Sequence, residues 1–195
     1  MFDVTHTQET RPDIRTSPLP EEMRVLLAQH PREGWEANPA FARSTRDWMA
    51  AHGLFRDLAY LLRTGAERYL DGSFDDEAYA PRLSAYGDRL VRALHGHHRF
   101  EDLSFFPELS AADPRFDRGL ELLEADHVGL DAVLERLTRT GNRALKLMQL
   151  DPAQARDEVA LVRDEAGRVE AFLERHLSDE EDLVVPILLE HRLRG

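Results

Sequence analysis

The chain contains no cysteine. That excludes disulfides, thiolate nucleophiles, zinc fingers and iron–sulfur clusters, so any metal site must be built from histidine and carboxylates. It also lacks any apolar run near the roughly 18 residues that a bilayer-spanning helix needs, so a membrane span is excluded. Basic residues are in deficit, 25 Lys plus Arg against 37 Asp plus Glu, for a net charge of −12. Such a field repels phosphate backbones and no basic stripe interrupts it, so nucleic acid is not an expected partner. The opening stretch Met-Phe-Asp-Val-Thr-His has neither a basic region nor an apolar segment. No secretory signal is expected, and the expected compartment is the cytoplasm.

What remains is a composition of soluble globular type, 42% hydrophobic and 32% charged, in 195 residues. At roughly 150 residues per domain this is one large domain. Prolines and glycines cluster at a few places, and the stretches between them are rich in Ala, Leu, Glu and Arg with few β-branched runs. The chain therefore reads as all-α. Residues 1–37 form an N-terminal tail with a short helix over 21–30, expected to contribute little. Residues 38–192 form the main domain. A first long helix starts at Asn38 and Pro39 and runs to about Leu70, where Asp71-Gly72-Ser73 supplies a stop. The second spans about 81–109, the third starts at Asp113-Pro114 and ends near Leu150, and the fourth opens on Asp151 and Pro152 and continues to about Arg192. Four helices of about 30 to 40 residues joined by short turns give an antiparallel up-down-up-down bundle.

Each apolar stripe of this bundle is interrupted by a histidine: His52, His97, His127 and His176. In the second and fourth helices a carboxylate, Glu101 or Glu180, follows four residues later on the same face. An ionised Glu in an apolar core is costly unless it is paired or coordinates a metal. Counting from the turns, His52 lies about 20 residues before the first and His97 about 24 after it, and the other members match as closely. At about 1.5 Å per residue all six side chains fall in one cross-sectional layer, which is the pattern of a metal site. A weak internal repeat adds to this. The block from His97 to Pro107 matches the block from His176 to Pro186 in its His, its Glu and its Pro, and each block has a lone histidine 45 or 49 residues upstream. Two such helical hairpins imply two metals, each held by two histidines and bridged by both carboxylates.

His52, His97-x-x-x-Glu101, His127 and His176-x-x-x-Glu180, with a proline six residues after each Glu, resemble the hemerythrin-like family, the four-helix cation-binding domain with a non-haem di-iron centre. The resemblance covers about residues 38–192. It implies two iron ions, one held by His52 and His97 and the other by His127 and His176, with Glu101 and Glu180 bridging. The family's better-known oxygen carriers have a further histidine one turn before the position of His127, and here that position is Leu123. The resemblance thus implies one imidazole fewer, and an ion that is more open or is completed by water, Glu124 or Asp131. That favours reaction with peroxide or nitric oxide over reversible oxygen carriage. Glu181 is the alternative second carboxylate; Glu180 is preferred because it lies on the apolar stripe and matches Glu101 in the repeat.

The other candidate residues receive plainer readings. His98 points away from the core at helical spacing and is assigned to the surface or to a supporting position. His6, His30, His95 and His191 lie in tails or off the stripes and are read as solvated. Of the run from Asp179 to Asp182, only one or two members are expected to face inward. Trp48, Phe55, Phe100, Phe105 and Phe106 read as core packing or as a dry pocket for a diatomic ligand. Glu124-x-x-His127 is the only E-x-x-H in the chain, whereas ferritin-like carboxylate centres need two. Imidazole with carboxylate suits iron, zinc or manganese, and only the resemblance selects iron. The expected function is binding of, or reaction with, a small ligand (oxygen, nitric oxide or peroxide) in sensing, storage or detoxification. A peroxide- or nitric-oxide-consuming oxidoreductase and a metal-free interaction module are the alternatives. Any turnover would rest on metal redox chemistry, since no other acid–base constellation is visible.

Overall fold

The computed structural model describes residues 15–194 and contains helices and no strands among them. Four long helices carry the fold: α2 (Arg43–Leu70), α3 (Asp76–Phe100), α5 (Asp117–Leu150) and α6 (Pro152–His191). Two short ones, α1 (Val25–Gln29) and α4 (Phe106–Ala112), flank them. α2 packs against α3 and α6, and α5 packs against the same two, closing the four-helix bundle.

Local chemistry explains where the boundaries fall. Asn38 does not cap α2: its Oδ1 accepts from Ala40 N at 2.9 Å and its carbonyl from Phe41 N at 2.9 Å. It thereby closes a separate turn, and α2 starts at Arg43 after the extended Ala42. α3 begins upstream of the expected position near 81 because Asp75 caps it, accepting from Ala78 N at 2.8 Å. Asp76 and Glu77 then stand in the first turn, where the helix dipole favours negative charge. Between α2 and α3 the chain reverses at Gly72, whose φ of +83° lies in the region glycine adopts without strain. Asp151 caps α6 through Gln154 N at 3.2 Å with Pro152 in the first turn, as expected from the sequence.

The second long helix is not continuous. After Phe100 it widens into a π-helical turn, Glu101–Phe105, in which Phe106 N reaches the carbonyl of Glu101, before continuing as α4. Pro107 follows directly and cannot donate to an ordinary helical ladder. π-turns of this kind re-aim side chains and are frequent at functional sites.

Two apolar clusters fill the bundle. One holds Phe55, Leu58, Leu62, Leu90, Leu94, Leu130, Leu134, Val162, Val169 and Leu173. The other holds Trp35, Phe41, Trp48, Phe105, Phe106, Phe116, Leu120, Leu183 and Ile187. The histidines and acids lie between them. The 15–35 segment joins the second cluster through Leu19, Met23, Leu26 and Trp35, all buried, which corrects the expectation that it contributes little. A Cβ on Gly119 would stand 2.8 Å from Leu183 and 3.1 Å from the Met23 sulfur, so the bare backbone there permits the close seating of this segment.

Candidate metal centre

All six residues expected from the sequence meet in one buried layer. His52 Nε2 lies 3.1 Å from His97 Nε2. Two ring nitrogens facing each other at that distance suit a shared electrophile between them better than any pairing of their own. Glu101 reaches both sides, with Oε1 at 2.9 Å from His97 Nε2 and Oε2 at 3.8 Å from His127 Nε2. Glu180 does the same: Oε2 is 3.5 Å from His52 Nε2 and 3.8 Å from His176 Nε2, and Oε1 is 3.7 Å from His127 Nε2. Both carboxylates are fully buried.

His98 belongs to this layer, contrary to the expectation that it points away from the core to the surface or to a supporting position. It is 4% exposed and stacks on His127 with ring centroids 3.9 Å apart. Its donor atoms, those of His127 and those of His176 include a set within 4.8 Å of one another, while His52, His97, Glu101 and Glu180 form a second such set. Adjacent residues on a helix diverge by about 100°. α3 lies between α2 and α5, so His97 faces His52 on α2 while His98 faces His127 on α5. An imidazole from α3 thus stands beside His127 and His176 in this part of the layer. Leu123 is itself fully buried in apolar packing. Glu124 and Asp131 belong to neither set, and Asp131 pairs with His95 at 3.4 Å.

Around this layer three carboxylates stand against the opposite ring nitrogens of its histidines. Glu181 Oε1 is 3.1 Å from His52 Nδ1, Asp102 Oδ1 is 2.8 Å from His127 Nδ1, and Asp126 Oδ2 is 3.4 Å from His176 Nδ1. This arrangement holds Nε2 toward the centre and raises the basicity of the imidazole. Glu181 therefore supports His52 from outside, and Glu180 is the carboxylate at the centre. Trp48 also has a polar role beyond packing: its Nε1 donates to Glu101 Oε1 at 2.7 Å. Phe55, Phe105 and Phe106 are buried as core packing, but Phe100 is exposed.

All four residues from Asp179 to Asp182 are buried, not one or two. The reason is the covering segment: Arg15 pairs with Asp179 at 2.9 Å, Arg32 with Glu181 and with Asp182 at 2.7 Å each, and Arg24 with Asp182 at 3.2 Å. The remaining histidines stay outside the layer. His30 pairs with Glu190 at 2.8 Å and His191 with Asp113 at 2.8 Å, both part-buried and not simply solvated, and His6 lies outside the described residues.

The electrostatics follow from burial and proximity. Burial, helped by His127 and His176, pushes His98 down to about 2 and keeps it a neutral imidazole with a lone pair to give. Burial and the neighbouring Glu180 raise the carboxyl of Glu101. Burial works against ionisation of Glu180 as well, yet His176, His127 and His52 hold it below the usual range. In His127 burial is likewise outweighed, by Asp102 and Glu180, and its imidazolium is raised to about 10. Asp126 and Glu181 are held low against burial by His176, Arg175 and Arg15 in one case and by His52, Arg32 and Arg56 in the other.

Several buried atoms at the centre have no hydrogen-bond partner: Glu101 Oε2, His127 Nε2, His176 Nε2, both oxygens of Glu180 and both ring nitrogens of His98. An unsatisfied buried polar atom costs about 1 to 3 kcal/mol, more if charged. So many at one point are accounted for by cations between them, and the donor set of imidazole and carboxylate fits iron, zinc or manganese. A cleft of about 360 Å³ lined by Thr45, Trp48, His97, Phe105 and Arg194 leads to His97. A separate cavity of about 490 Å³, lined by residues such as Leu83 and Leu137, touches none of the site residues. No described helix is long and apolar enough to cross a membrane.

Among known families, the model described as hemerythrin HHE cation binding domain matches residues 43–189. No curated protein and no solved structure matches the chain. The match spans most of the chain and all of the long helices' site residues, and the chain belongs to that family.

Proposed function

From membership of the hemerythrin HHE cation-binding family, we propose that the chain holds two iron ions and binds or reacts with a small ligand, oxygen, nitric oxide or peroxide, at one of them. The observation that carries this reading is the pair of buried carboxylates, each reaching imidazoles on both sides, amid ring nitrogens and oxygens without other partners. His52 and His97 would hold one ion, His98, His127 and His176 the other, with Glu101 and Glu180 bridging. Bound iron supplies Lewis acidity and reversible redox change to a small ligand. The residues themselves orient the imidazoles through Glu181, Asp102 and Asp126, and exclude bulk water with the two apolar clusters. The His52–His97 half has one imidazole fewer and borders the cleft at His97, so it is the half at which a small ligand is received.

Metal analysis and the visible spectrum of the purified chain test the proposal. The expected result is about two irons per chain, with spectral change on adding peroxide or nitric oxide. A chain without iron would support the metal-free alternative. Sustained peroxide consumption lost in Glu101→Ala would assign turnover, whereas a single spectral change would assign binding.

A further inference from the structure

The family domain starts at residue 43, and nothing in it accounts for the 15–35 segment that lies over α6. This segment is seated by buried Leu19, Met23, Leu26 and Trp35 on the cluster that includes Leu183, Val184, Ile187 and Leu188. From it two guanidinium groups reach inward. Arg32 NH1 binds Glu181 Oε2 at 2.7 Å while the other oxygen of that carboxylate faces His52 Nδ1 at 3.1 Å. Arg32 Nε binds Asp182 Oδ1 at 2.7 Å, so its planar fork spans two adjacent acids. Arg15 NH2 binds Asp126 Oδ2 at 2.6 Å, the atom that faces His176 Nδ1 at 3.4 Å. The two chains end on different halves of the layer, one on the half with His52 and His97, the other on the half with His98, His127 and His176.

We propose that the 15–35 segment is a positioning strap for the metal centre, in which Arg32 and Arg15 each fix the carboxylate that orients one histidine of each half. The inference rests on the two-iron reading above. A carboxylate on Nδ1 sets the tautomer and direction of an imidazole only while its own position is held, and each guanidinium fork ties that carboxylate to a second acid, Arg32 joining Glu181 to Asp182 and Arg15 joining Asp126 to Asp179. The bundle supplies one further cation to each carboxylate, Arg56 to Glu181 at 3.0 Å and Arg175 to Asp126 at 2.8 Å. Loss of a strap arginine therefore loosens a ligand and does not abolish it.

The test is anaerobic titration of the apo chain with iron(II) against a chelator, with the melting of each apo variant followed by circular dichroism. Arg32→Ala is expected to weaken one of the two irons by about tenfold and Arg15→Ala the other, the size typical of losing an outer partner. Arg24→Ala is the control. Its guanidinium reaches Asp182, which touches no histidine among the described residues, and its iron affinity should stay within about twofold of wild type for a comparable shift in melting. Arg32→Lys keeps the charge without the fork and should recover part of the loss, which keeps the comparison readable if Arg32→Ala folds poorly. Arg32→Ala and Arg15→Ala that bind both irons like wild type, or no worse than Arg24→Ala, would overturn the strap. A wild-type chain that takes up fewer than two irons would instead overturn the two-iron reading beneath it.

Discussion

The half of the layer around His52 and His97 draws its imidazoles from α2 and α3 and borders a cleft, whereas the half around His98, His127 and His176 draws them from α3, α5 and α6 and is closed. His98 stacks on His127 at 3.9 Å, Phe106 stacks on the other side at 5.8 Å, and Phe172 packs on His176 at 5.3 Å. The internal repeat alone describes two equal halves. The difference between them shows how a duplicated pattern acquires one open and one sealed end: α3 stands between two neighbours, and one extra histidine beside the repeated one turns toward the second of them.

The largest effect is expected from removing what the two halves share. Glu180→Ala takes away the carboxylate facing His52, His127 and His176, and iron analysis should show both ions lost. The next change acts on the closed half alone. His98→Leu should cost one iron while leaving the other, and should raise the melting temperature of the apo chain. The substitution removes two buried ring nitrogens that have no partner, a gain of about 1 kcal/mol or more to the apo fold. Retention of two irons in that variant would exclude His98 from the ligand set.

A smaller effect is expected from Asp102→Asn, which leaves His127 in place but weakens the acceptor at its Nδ1, 2.8 Å away. Iron(II) titration should show about a tenfold loss on the closed half only. The smallest effect lies outside the layer, where Asp113 accepts from Arg115 and pairs with His191. The Arg115 guanidinium, opposed by burial and aided by His191, holds that carboxyl below its ordinary range. A depressed folded pKa contributes stability that is present above the unfolded value of about 4 and is lost as pH falls further. Asp113→Asn should therefore lower the melting temperature slightly at neutral pH, by about 1 kcal/mol of stability. The gap between variant and wild type should narrow as pH falls below about 4 and close only below the depressed folded value of Asp113, with iron content at neutral pH unchanged.

Legibility differed between the fold and the outer parts of the site. The six central residues could be placed because a histidine or glutamate on a leucine stripe violates a 3.6-residue period that any single sequence displays. Equal distances from the turns then set their common depth. His98 was misplaced for the same reason: periodicity assigns one inward face per helix, but a helix with neighbours on two sides has two. The doublet His97-His98 was the available signal. Burial of the whole Asp179–Asp182 run had no local signal, because it depends on arginines about 150 residues away in sequence. The π-helical turn at Glu101–Phe105 was equally hidden, although Pro107 marks its end.

By itself the sequence determined the all-helical bundle, the central set of imidazoles and acids, and the exclusion of thiolate chemistry, since these depend on residue type and on spacing along one helix. Tertiary structure alone decided that His98 stacks on His127 inside the layer, that Trp48 donates to Glu101, and that Arg15 and Arg32 pair with the outer carboxylates. Those are contacts between segments far apart in the chain, and which segments meet is set by packing of the whole molecule, not by any local pattern.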